Sequence, residues 1–231
     1  MATRARYFSA RQTILVTYVL MAINIGVFIA VTIAEPRSVT SGRISGGRAG
    51  EFGQYDLVVA GPLLEQGEWY RMVTAGFVHF GIVHVAFNML LLFQLGLLLE
   101  PALGRVRFAL LYFAALLAGL AGAVLLDPNA LTGGASGAVF GLMGAAFIGL
   151  RHRGVNPLST SIGTVLILNL FITFTLPGIS IGGHLGGVLG GAVAGWVILA
   201  PTYRGVPNWA TYAAPVAVMV VSLAVTWIAV R

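Results

Sequence analysis

Ser136 and His184 pair two side-chain types that suit nucleophilic chemistry. A serine hydroxyl attacks a carbonyl only when a base takes its proton, and neutral imidazole is the fitting base near neutral pH. His84 and Asn88 stand four residues apart, so they share one helix face and can both donate hydrogen bonds. A helix beginning at Ser136 leaves the backbone amides of Ser136 and Gly137 unpaired at its positive end. His84, Asn88, Ser136 and Gly137 together could hold a developing oxyanion. The competing reading makes His84 and Asn88 polar glue between helices. Glu100 and Asp127 fall at the inner and outer ends of their spans, so a serine–histidine dyad is expected rather than a triad. The chain has no cysteine, which removes a thiolate nucleophile and thiolate metal sites. Histidines without carboxylate or thiolate company make a poor zinc site, so neither metal nor cofactor is expected.

The bilayer must be the solvent for the elements that carry these groups. Of 231 residues, 58% are hydrophobic and 9% charged, far too apolar for an ordinary soluble domain. Seven runs approach the roughly 20 residues needed to cross a bilayer: 13–34, 81–99, 106–126, 135–150, 159–176, 182–200 and 211–230. The fold class expected is an all-α polytopic membrane protein, a six-helix bundle with an additional C-terminal seventh helix. A short tail (1–12) precedes a core (13–200) that includes a long first loop (35–80), and a loop with the seventh helix (201–231) follows. The first apolar run is too long for a signal-peptide core and reads as a retained anchor. With the amino terminus cytoplasmic, Arg4, Arg6, Arg11, Arg105, Arg107, Arg151, Arg153 and Arg204 share the inner side with the single acid Glu100. The positive-inside rule therefore favours amino terminus in and carboxyl terminus out. The net charge is +6, but its arginines are scattered, and no nucleic-acid partner is expected.

This topology makes the second, fourth and sixth spans run inward, each with a reactive side chain near its start: His84, Ser136 and His184. Ionisable groups at membrane depth are costly enough that function is the default reading. The fourth span is short, which sinks Ser136 below the surface in a recess. Gly183, Gly187, Gly191 and Gly195 repeat every four residues in the sixth span, as Gly137, Gly141, Ala145 and Gly149 do in the fourth. Such small-residue stripes let helices approach closely in lipid. Their contact would bring Ser136 Oγ to the imidazole of His184, although a tightly packed transporter pair has the same stripes.

The string Gly134-Ala135-Ser136-Gly137, with His84-x-x-x-Asn88 upstream and His184-Leu185-Gly186-Gly187 downstream, resembles the rhomboid family of intramembrane serine proteases. Glu68-Trp69-Tyr70-Arg71, Phe77-Val78-His79 and Gly96-x-x-x-Glu100-x-x-x-Gly104 agree in order, and the likeness covers roughly residues 55–200. It implies Ser136 as nucleophile, His184 as general base, and an oxyanion site from His84, Asn88 and the Ser136 amide. It also implies single-pass transmembrane proteins as substrates, cut near the outer face, and a fifth span that serves as a lateral gate. The family's loop motif is often Trp-Arg, whereas here Tyr70 precedes Arg71 and Trp69 stands one place earlier. Trp69, Tyr70, Arg71, Gly96, Glu100, Gly104, Gly187 and Gly191 carry over as structural positions, with Glu100 capping or packing the inner loop.

Asn24, Gln94 and Asn169 read as interhelical hydrogen-bonding residues, His79 as loop packing, and His152 as a solvated inner-loop residue. Trp209 and Tyr212 read as interfacial anchors. The expected function is an intramembrane serine endopeptidase of a bacterial inner membrane. The alternative is a non-catalytic rhomboid-like protein that binds membrane clients, which would not need both dyad residues. A small-solute transporter would show paired inverted repeats, and none is visible.

Overall fold

The computed structural model describes residues 13–35, 53–200 and 204–231. The tail 1–12, most of the loop before residue 53, and residues 201–203 lie outside the described residues, and with them the expectations for Arg4, Arg6 and Arg11. Nine helices are present among the described residues: α1 (Leu15–Ala34), α2 (Gly61–Glu65), α3 (Arg71–Thr74), α4 (Ile82–Leu103), α5 (Arg105–Leu126), α6 (Ser136–His152), α7 (Ser161–Thr175), α8 (Ile181–Ile198) and α9 (Ala210–Ala229). Seven of them coincide with the expected spans. Five, α1, α4, α5, α8 and α9, are long and apolar enough to cross a membrane. The other two are shorter: α7 has 15 residues and α6 has 17. The chain is an all-helical, multi-pass membrane protein.

Local sequence explains where several helices begin and end. Thr160 and Ser180 accept hydrogen bonds from the amides of Gly163 and Gly183, capping α7 and α8. Gly104, at φ 80°, turns α4 directly into α5, a conformation that a β-carbon would strain. The start of α6, like those of α4, α5 and α9, has no side-chain cap, and its N-cap is Ala135. Its first amides are therefore left unpaired.

The centre of the bundle is a backbone-to-backbone seam between α6 and α8. A β-carbon on Gly191 would be driven into the backbone of Gly141, and one on Gly187 would come within 2.8 Å of the Gly137 carbonyl carbon. One on Gly195 would lie 2.8 Å from Ala145 Cα. The two stripes expected to meet do meet. A third helix joins them, since β-carbons on Gly119 and Gly122 of α5 would meet the Gly183 and Gly182 carbonyls. The small residues Ala118, Gly119 and Gly122 make this approach possible, and the sequence reading did not use them.

Two polar clusters fasten the periphery. Glu100 is buried, and its carboxylate accepts from the amides of Val16 and Thr17 at 2.9 and 2.8 Å and from the Thr17 hydroxyl at 2.7 Å. It caps the amino end of α1, which has no side-chain cap of its own, so its partner is a helix and not the inner loop. Gly96, one turn earlier on α4, leaves room for the Thr17 side chain. On the opposite side the first loop folds as α2, α3 and a 3-10 turn, Ala75–Phe77. Buried Arg71 ties it together through the carbonyls of Tyr55 and Val58 and the carboxylate of Glu68. The Arg71 guanidinium holds the Glu68 carboxyl below its ordinary range. Trp69 packs against the core while Tyr70 is exposed.

Three other expectations change. Asn169 donates to the Val165 carbonyl of its own helix, because the nearest acceptor in an apolar bundle is the carbonyl one turn back, whereas Asn24 donates to the Leu20 carbonyl and also meets the Tyr112 side chain of α5. Gln94 is exposed. His152 ends α6, with Nδ1 3.1 Å from the Leu199 carbonyl, Nε2 beside Arg204, and its ring edge-on to Trp196. It is docked against α8 rather than free in a loop. Trp209 is exposed, and Arg107 lies over the Tyr212 ring.

Two stability predictions follow from this packing. Gly191→Val should cost about 1–3 kcal/mol or more by forcing the seam apart, whereas Gly26→Ala, with nothing within 4 Å of the new methyl, should leave the melting midpoint equal or higher. Equal midpoints for Gly191→Val and wild type in detergent would refute the seam as a constraint. Glu100→Ala should cost about 3 kcal/mol by stranding buried donors, with Glu100→Gln recovering part of the loss. Thermal unfolding of the three proteins reads this directly.

Candidate active site

The recess is built at the uncapped start of α6. Gly134, at φ 131°, reverses the chain just before the helix, and its amide donates to the Ala75 carbonyl at 2.8 Å. The first loop covers this region. Val59 and Thr132 form a small antiparallel bridge, and Gly61 donates to the Pro128 carbonyl at 2.7 Å. Ser136 is therefore the first residue of a helix that starts beneath a folded layer, and it is half-buried.

His84 reaches the same spot from α4. A β-carbon on Gly134 would sit 3.1 Å from His84 Nε2 and 3.6 Å from Ser136 Oγ. Imidazole and hydroxyl thus flank one face of Gly134, and a side chain there would fill the space between them. The Phe80 amide donates to His84 Nδ1 at 3.3 Å, so the neutral ring carries its hydrogen on Nε2, the atom beside Ser136. Phe80 stacks on the ring at 5.8 Å and His79 meets it edge-on at 4.9 Å. Burial, with His84 adding to it, pushes His79 down to about 3, so that neighbour stays neutral. Asn88 is buried, and its Nδ2 donates to the His84 carbonyl at 2.9 Å. One of its two amide hydrogens is spent within α4 and one is left.

His184 enters from α8, in that helix's first turn. Its ring lies flat on Phe140, with centroids 3.9 Å apart and planes within 17°. Phe140 is one turn beyond Ser136 on α6, so the stack holds the imidazole against the same end of that helix. His184 Nδ1 is 2.7 Å from the hydroxyl of Thr173 on α7, and both residues are buried. No hydrogen bond joins Ser136 Oγ to His184 among the described residues.

Ser136, Gly137, His84 and His184 therefore gather around one end of α6, while Asn88 lies one turn beyond His84 on α4, bonded to its carbonyl. Trp69, Tyr70 and Arg71 belong to the covering loop. Gly96, Glu100 and Gly104 mark the far end of α4, and Gly187 and Gly191 lie in the seam. Phe140 and Thr173 were not found from the sequence. Phe140 had a usable signal, since a residue four places after Ser136 must share its face. Thr173 had none, because its approach to His184 depends on the turn between α7 and α8.

The site is a hydroxyl, a buried imidazole and several uncommitted donors, without a carboxylate among the described residues. That set is suited to acyl transfer. Comparison with known proteins points the same way. The chain is 37% identical over 126 residues to the rhomboid protease GluP of Bacillus subtilis (strain 168), covering 53% of this chain and 25% of that protein. It is 33% identical over 141 residues to the putative rhomboid protease YdcA of the same organism, covering 57% and 65%. Rhomboid-like protease 1 of Toxoplasma gondii is 34% identical over 134 residues, covering 54% and 45%. The chain thus spans less than two thirds of the length of each of these relatives. A family model described as the rhomboid domain matches residues 66–201, more than half of the chain, and the chain belongs to the rhomboid family.

Proposed function

We propose that this protein is an intramembrane serine endopeptidase in which Ser136 attacks a substrate carbonyl and His184 is the general base. The observation that carries the reading is the convergence of a half-buried serine hydroxyl, a buried stacked imidazole and an uncapped helix start at one recess. Names of relatives as proteases support it.

The hydroxyl proton passes to His184 Nε2 as Ser136 Oγ bonds to the carbonyl carbon. Charge that develops on the carbonyl oxygen meets the Ser136 and Gly137 amides, His84 Nε2–H and the remaining Asn88 hydrogen. Collapse expels the amine, which takes the proton from His184. Water then attacks the acyl-enzyme by the same relay, with its proton going to His184 and onward to the departing serine oxygen. No cofactor takes part.

Substrates of this reading are single-pass transmembrane proteins, whose helices must unwind to expose a peptide bond. Amino terminus in and carboxyl terminus out places the start of α6 toward the outer face, in a bacterial inner membrane, with arginines concentrated inside. The catalytic core is 13–200, and 201–231 adds the seventh helix.

A purified-protein assay with a fluorogenic transmembrane substrate tests the dyad. Ser136→Ala and His184→Ala should each lose about a thousandfold or more in kcat, and His84→Ala about a hundredfold. Dyad variants that cleave like wild type would sink the assignment. A fluorophosphonate should label wild type and fail to label Ser136→Ala.

A further inference from the structure

The imidazole of His184 has a second partner that the acyl-transfer reading leaves without a task. Thr173 Oγ1 makes two short contacts, 2.7 Å to the Asn169 carbonyl and 2.7 Å to His184 Nδ1. Each such contact requires one hydrogen between its heavy atoms. The carbonyl brings none and the hydroxyl brings one. A hydroxyl that donated to Nδ1 would leave two oxygens facing each other at hydrogen-bond distance with only lone pairs between them. One arrangement alone supplies both hydrogens: the hydroxyl donates to Asn169, and His184 Nδ1–H donates to the hydroxyl oxygen. Back-bonding of this kind is the habit of this chain, as Thr32, Thr175, Ser222 and Thr226 also donate to the carbonyl four residues earlier.

A neutral imidazole has one hydrogen. With it on Nδ1, Nε2 keeps its lone pair. Thr173 is therefore placed to do without charge what a buried carboxylate does in a triad, which is to hold the ring in the tautomer whose free nitrogen is basic. Thr173 and His184 are both buried, so water is poorly placed to substitute for the hydroxyl. Phe140 fixes the plane of the ring, but a flat stack is indifferent to which nitrogen is protonated. Plane and tautomer are thus set by different residues on different helices.

We infer that Thr173 is a positioning residue that selects the Nδ1–H tautomer of His184 and thereby presents Nε2 as the base toward Ser136 Oγ; this rests on the dyad reading of the preceding subsection. When Nε2 takes the serine proton, the Oγ–H bond breaks, the Nε2–H bond forms, and Nδ1–H stays on Thr173 throughout. The hydroxyl neither gains nor loses a proton. Because its own hydrogen is committed to a carbonyl, the oxygen is polarised and accepts more strongly from the imidazolium than from the neutral ring. Thr173 therefore acts on the chemical step and leaves substrate binding alone.

Two measurements test this. In the cleavage assay, Thr173→Val, which keeps the shape and loses the hydroxyl, should lower kcat about ten- to a hundredfold with KM within about twofold, and Thr173→Ser should recover most of the loss. In 15N-histidine-labelled protein the four histidines are few enough to assign by single substitutions. His184 should show a protonated Nδ1 and an unprotonated Nε2 in wild type and in Thr173→Ser, and a mixed tautomer in Thr173→Val. A wild-type His184 protonated on Nε2 overturns the inference, whatever the activity. So does a Thr173→Val protein with wild-type kcat whose Ser136→Ala counterpart is inactive, and that outcome leaves the dyad standing. Full cleavage by Ser136→Ala removes the dyad and with it any base to position, while the tautomer measurement still reports the hydrogen bond separately.

Discussion

Contact of backbone with backbone along the seam of α5, α6 and α8 is the constraint on which everything else in this bundle depends. In lipid, helices gain little from hiding apolar side chains, since the solvent is as apolar as they are. Close approach restores an advantage through dispersion contacts made along the whole length of the seam. Glycine at positions 187 and 191 gives up side chains so that carbonyls of the neighbouring helix can occupy their place. That surrender also fixes the relative height of the helices, because a carbonyl seated over a glycine cannot slide a residue without striking the next side chain. The registry of α6 against α8 is what sets the start of one helix beside the first turn of the other.

Around the seam the protein uses polar groups sparingly and in closed sets. Glu100 serves the three donors at the start of α1, and Arg71 gathers two carbonyls and a carboxylate in the loop layer. In an environment without water every donor must find a partner inside the protein. The start of α6 is not such a closed set, for no side chain caps it, as none caps α4, α5 or α9. An unmet need of this kind costs stability unless a bound group meets it.

Much of this was legible in the sequence because lipid imposes simple rules. The hydropathy pattern marks each of the seven long helices, and the glycine spacing of Gly183 to Gly195 announced a partner stripe that proved to be the one starting at Gly137. Asn169 was misread, since a polar side chain in a span does not announce whether its acceptor lies across the bundle or one turn back on its own helix. Glu100 was assigned to the wrong partner for a similar reason, as α1 is far away in sequence and only tertiary packing brings Thr17 to it. Thr173 was invisible. Its role depends on hydroxyl direction and on the count of hydrogens between three atoms, and neither quantity has a periodicity to read.

The shortness of α6 has a consequence for the depth of the recess. Seventeen residues make a rod of about 25 Å, some 5 Å less than the hydrocarbon it crosses, and the helix is buried by its neighbours along nearly its whole length. The missing length falls at its uncapped end, where the first loop folds over the start of the helix through the Val59–Thr132 bridge and the Gly61 amide. The loop layer is thus the part of the protein that sets the thickness of the wall above Ser136, so a change in how it folds would alter the depth of the recess without moving the seam beneath it.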